Sequence, residues 1–134
     1  MQREEYIEEI LDHYQHPRNK RALPDADSHM EGGNPGCGDT VTMFLKVAPD
    51  GKVDQLTFLG QGCTISQAGA SMLTEMVKGK TLEEVEQMDF EDFINHMGRD
   101  VVISRVRCAT LALGTVKAAA DEIKKQRRLA ASNR

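Results

Sequence analysis

Tryptophan is absent from the 134 residues, and two tyrosines and four phenylalanines are the whole aromatic complement. Stacking bases on a protein surface needs more platforms than this. A net charge of -4 also withholds the cationic field that nucleic acid or an anionic membrane would require. Neither partner is expected. No stretch approaches the roughly 18 consecutive apolar residues of a membrane span. The opening MQREEYIEEI has acids where an export signal would be basic and then apolar, so the expected location is cytoplasmic. Cysteine is scarce too: Cys37, Cys63 and Cys108 are an odd number with no C-x-x-C pair. Without an export signal, thiol or metal chemistry fits them better than a disulfide framework.

What is present suits one domain over residues 1–134, with 129–134 expected as a frayed tail. In REEYIEEILDHYQ, Tyr6, Ile7, Ile10, Leu11 and Tyr14 recur at helical spacing, and Pro17 predicts a stop at His16. Residues 18–38 are polar, with a short strand expected near Ser28–Glu31. DTVTMFLKV alternates strictly, APDGK supplies an Asp-Gly turn, and VDQLTFLGQG resumes the extended pattern, which predicts a hairpin. A helix is expected over Ser66–Lys78, ending at Gly79. Two short ones should follow, capped by Thr81 and Asp89, and a long one capped by Ser104 that carries Cys108 in its first turns.

The segment GGNPGCGDT, Gly32 to Thr40, has the glycine spacing and terminal Thr of a phosphate-binding loop, but Asp39 stands where the lysine belongs. A β-patterned run follows it, where a phosphate loop needs a helix N-terminus. Nucleotide binding is therefore not expected. The remaining set is Cys37, Asp39, Cys63 and Cys108, each at the junction of a glycine-rich or capped turn with a regular element. Three thiolates and a carboxylate suit a tetrahedral, thiophilic metal centre, whether zinc or iron–sulfur. Spacing alone leaves open the alternative that these cysteines are small buried hydrophobes. His13 and His16 read as exposed or capping groups, His29 and His96 as surface residues. The basic run Lys124 to Arg128 suits a helix C-terminus, and Met72, Met76 and Met97 read as core filling.

The blocks HYQHPRN, GNPGCGD, GQGCTISQAGASMLTEMVKGK and RVRCATLAL, taken in order, resemble the signature segments of the IscU/SufU/NifU N-terminal family of iron–sulfur cluster assembly scaffolds. The resemblance covers nearly the whole chain. It implies an α+β fold: a small three-stranded antiparallel sheet with an N-terminal helix and several C-terminal helices. It also implies that Cys37, Asp39, Cys63 and Cys108 surround one exposed metal site. On that footing the protein receives sulfur from a cysteine desulfurase, builds a labile [2Fe–2S] cluster and passes it to apo acceptor proteins. It acts as a carrier, and a homodimer could share the cluster. Cys108, beside Arg107 and near a helix N-terminus, is the expected persulfide acceptor.

The chain departs from IscU-type relatives in two places. Arg107 occupies the position of a histidine and cannot ligate, which leaves Asp39 as the fourth ligand. DVVISRVRC replaces the L-P-P-V-K segment that a dedicated Hsp70 reads, so that contact is not expected. SufU-type relatives carry an insertion between the second and third cysteines, for which 81–104 is too short. The alternative function is a zinc-dependent SufU-type sulfurtransferase, with Zn²⁺ on the same residues.

Overall fold

Alternating burial in residues 39–47 sets the centre of the fold. Val41, Met43 and Leu45 are buried while, on the other face, Thr40 is exposed and Thr42 half-buried, as a strand with one covered face requires. The computed structural model describes residues 1–36 and 38–132. In chain order it has α1 (Arg3–Gln15), β1 (Ser28–Asn34), β2 (Asp39–Val47), β3 (Val53–Gln61), α2 (Thr64–Met76), α3 (Leu82–Glu86), α4 (Phe90–Met97), α5 (Arg99–Val102), a 3₁₀ turn at Ile103–Arg105 and α6 (Val106–Ser132). This is the expected α+β architecture.

The strands form one antiparallel sheet in the order β1-β2-β3. The β2–β3 hairpin turns through Gly51, whose φ of 88° belongs to the left-handed region that glycine enters freely. β1 continues past the expected Glu31 to Asn34, which pairs directly with Asp39. Its glycines give little strand signal, but Gly32 is needed for contact: a side chain there would strike Thr115 of α6. α6 lies across β1 and β2 and against α2, and α1 packs on the other side of α2. Phe58, Met43, Leu45, Phe93, Leu73 and Val116 are no more than 1% exposed between these layers. Each such side chain contributes about 1.5–3 kcal/mol of transfer free energy.

α1 ends where Pro17 requires, with His16 as its C-cap. α3 opens on a complete Thr81/Glu84 capping box, and Asp89 caps α4. Three details differ from expectation. Ser104 is not a helix cap: it lies inside the 3₁₀ turn that links α5 to α6. α5 itself is additional, started by Gly98 at φ 102°, where a side chain would collide with Tyr6 of α1. α6 runs to Ser132, into the stretch read from the sequence as a tail.

Candidate metal centre

β2 begins at Asp39, α2 is capped by Cys63, and the first turn of α6 carries Cys108. These three element ends meet at one end of the sheet. A carboxylate oxygen of Asp39 and the sulfurs of Cys63 and Cys108 all lie within 4.8 Å of one another. Cys37 lies outside the described residues. Asp39 and Cys108 are 2% and 6% exposed, whereas Cys63 is half-buried and reachable.

Local structure explains each placement. Cys63 is an N-cap whose sulfur accepts the Ser66 N–H at 3.4 Å, satisfying one of the orphan donors of the first turn of α2. Its own N–H donates to Asp39 Oδ1 at 3.0 Å. The Ser66 hydroxyl lies 3.3 Å from the same oxygen, and Asn34 Nδ2 lies 3.5 Å from Oδ2. Asn34 also donates to the Arg107 carbonyl at 3.2 Å, tying β1 to the start of α6. Gly62 must be glycine, because a Cβ would overlap Asp39 Oδ1 and come within 2.5 Å of Ser66 Oγ.

The electrostatics separate the groups. Burial works to raise the Asp39 pKa, but donors on Cys108, the Cys63 backbone, Asn34 and Ser66 together hold it below the usual carboxylate value. Burial likewise opposes ionisation of Cys63. The Ser66 backbone N–H, then its hydroxyl and the Cys108 thiol, outweigh this and bring Cys63 below an ordinary thiol. Cys108 goes the other way. Burial, followed by hydrogen bonding to Asp39 and Cys63, pushes it up to about 12.

The Cys108 shift runs opposite in direction to the activation expected from Arg107 and the helix N-terminus. Arg107 is exposed and makes no ion pair among the described residues. Arg105, exposed and three residues before Cys108, is the basic residue whose pKa the site raises, through Cys63 first and then Cys108. Arg105, Ser66 and Asn34 are the site residues that sequence reasoning missed. Helical spacing was the available signal for Arg105, since a residue three positions before Cys108 shares its face and the adjacent one does not.

The histidines need one correction. His29 and His96 are exposed, as expected, and His16 caps α1. His13 is instead largely buried, with its Nδ1 2.8 Å from the Oγ of Ser71, which also accepts the Arg18 N–H at 2.9 Å. The HYQHPRN block is thus a latch between α1 and α2, distant in role from the metal centre. Burial, then the charge of Arg18, lowers the His13 pKa against the opposing pull of Glu75, Asp12 and Glu9.

A family model described as the NifU-like N terminal domain matches residues 5–130. The chain belongs to that family. Among its relatives, the iron–sulfur cluster assembly scaffold protein IscU of Aquifex aeolicus is 37% identical over 127 residues, covering 93% of this chain and 80% of its own. The protein of the same name in Escherichia coli K12 is 32% identical, with 91% and 96% covered. A solved structure from Fervidobacterium islandicum AW-1, described as a candidate cluster assembly scaffold of the SUF system, superposes with TM-score 0.70. It is 28% identical and the match covers 84% of this chain and 94% of that one. A NifU-like N-terminal domain from Brucella abortus, at 21% identity, TM-score 0.73, and 87% and 92% coverage, shares the fold. Within the NifU-like N-terminal family, this chain places Asp39, Cys63 and Cys108 where they could together hold a metal ion.

Proposed function

We propose that this protein is an iron–sulfur cluster assembly scaffold that builds a labile [2Fe–2S] unit on Cys37, Asp39, Cys63 and Cys108 and gives it to apo acceptor proteins. The observation that carries this reading is the convergence of Asp39, Cys63 and Cys108 ligand atoms within 4.8 Å at the sheet end. The chemistry of the set fits the task. Thiolates hold iron firmly, while a carboxylate makes a weaker bond to a soft cluster iron and provides the point of exchange.

Sulfur arrives, on this reading, from a cysteine desulfurase. A thiolate here attacks the outer sulfur of the enzyme's persulfide, forms the new S–S bond and expels the enzyme thiolate. In the metal-free protein Cys63 is the better attacker of the two described thiols, because it is accessible and its thiolate is favoured. We assign Cys108 to ligation first and to sulfur reception only once a metal has displaced its proton. Sharing of a cluster between two copies is consistent with the reachable face of Cys63. Action in the cytoplasm is part of the same proposal; no helix among the described residues is long and apolar enough to cross a membrane.

Anaerobic reconstitution with iron, cysteine and a desulfurase tests the reading, followed by visible and Mössbauer spectra and metal analysis. Thiolate-to-iron charge-transfer bands with labile sulfide are expected. A colourless protein with one zinc that still passes persulfide would replace the scaffold with the zinc-dependent sulfurtransferase. Mass spectrometry of Cys37→Ser, Cys63→Ser and Cys108→Ser locates the persulfide. Metal-free protein is expected to lose most of it in Cys63→Ser, and retention there would return the role to Cys108 or Cys37.

A further inference from the structure

Ser66 is not a ligand, yet it touches two ligand residues. It sits in the first turn of α2 and is 6% exposed. Its hydroxyl oxygen lies 3.3 Å from Asp39 Oδ1 and 3.0 Å from the Cys63 carbonyl oxygen. A serine has one hydroxyl proton, so it donates to one of these acceptors at a time. Each acceptor has a second donor: the Cys63 N–H on Asp39 Oδ1 at 3.0 Å, and the Gln67 N–H on the Cys63 carbonyl at 3.1 Å. Neither orientation of the hydroxyl leaves a buried acceptor empty, so turning to the carbonyl gives up only the extra strength of a bond to the charged carboxylate.

From this geometry we propose that Ser66 is a positioning residue whose hydroxyl competes with the metal for Asp39 Oδ1, turning to the Cys63 carbonyl while metal is held and returning to the carboxylate as it leaves. The inference rests on Asp39 being a ligand in the scaffold reading and adds how that bond is loosened. A buried carboxylate that loses a cation is costly unless a donor replaces it. The returning Ser66 proton is such a donor, so it stabilises the emptied site and favours release. Cys63 N–H and Asn34 hold the carboxylate without help from Ser66. Removing the hydroxyl therefore changes how available Oδ1 is, not where it points. The missing side chain at Gly62 keeps clear the space beside both Oδ1 and Ser66 Oγ.

Cobalt(II) titration of the metal-free 134-residue chain, read by thiolate-to-cobalt absorption, tests this together with the rate of cobalt release to a chelator. Ser66→Ala is expected to bind about three- to tenfold more tightly and to release more slowly by a similar factor. Ser66→Thr should match the wild type, and its near-isostere Ser66→Val should match Ser66→Ala, which removes packing as an explanation. In an Asp39→Ala background Ser66→Ala should no longer tighten binding, leaving only the loss of its donor beside Cys63, which acts in the opposite direction. Equal or weaker binding by both hydroxyl-free variants overturns the proposal, as does a tightening that survives without Asp39. A cobalt affinity indifferent to Asp39→Ala alone would remove the ligand assignment, and this inference with it.

Discussion

Asp39 and Cys108 illustrate how burial and hydrogen bonding can pull neighbouring groups in opposite directions. The carboxylate ionises more readily than usual because donors outnumber the penalty of burial. The thiol keeps its proton because it is itself one of those donors. A thiol with a folded-state pKa raised above its unfolded value stabilises the fold fully below the unfolded pKa, and that contribution is lost as pH rises through the folded one. For the metal-free protein, stability should fall from about pH 8.5, the free thiol value, toward pH about 12. Urea unfolding at steps across this range checks it, and Cys108→Ala should flatten the slope. Asp39, Cys63 and Cys108, which the structure brings together, were legible as candidate donors because cysteine is scarce here and each lies at a turn. Which thiol ionises more readily was not, because it depends on burial and on donors such as Ser66 that folding, not sequence adjacency, brings to each sulfur.

At the scale of elements, caps and alternation carried most of the fold. Thr81, Asp89 and Pro17 act through local chemistry that a sequence displays directly, and the alternation of residues 39–47 states which face is covered. β1 beyond Glu31 and the short helix at Arg99–Val102 were not legible. Their formation depends on partners: β1 is held by β2 and by Thr115 of α6 over Gly32, and α5 by the seating of Gly98 on Tyr6. The α1–α2 latch was likewise hidden, since nothing in HYQHPRN announces Ser71. Ser71 is fully buried and accepts the Arg18 N–H while contacting His13. Ser71→Ala should leave those groups unpaired and cost about 1–3 kcal/mol in urea unfolding, while cobalt affinity stays at the wild-type value because the latch is separate from the donor set.

For the whole molecule, the donors belong to the ends of three elements that only the finished core holds together. Metal binding and folding are therefore linked. At free Zn²⁺ about a hundredfold above its Kd the native state should gain about 2.7 kcal/mol. Thermal unfolding with and without zinc measures this gain, and Asp39→Ala should shrink it by weakening binding. The aliphatic and aromatic core between sheet and helices makes that native state available without metal, in contrast to small zinc modules that need the ion to fold.

The wide separation of Asp39, Cys63 and Cys108 along the chain also has a temporal meaning. During synthesis Asp39 and Cys63 leave the ribosome before α6 does, so the three donors become neighbours only once that helix has packed onto the sheet. A nascent chain that still lacks α6 offers the first two donors without the third.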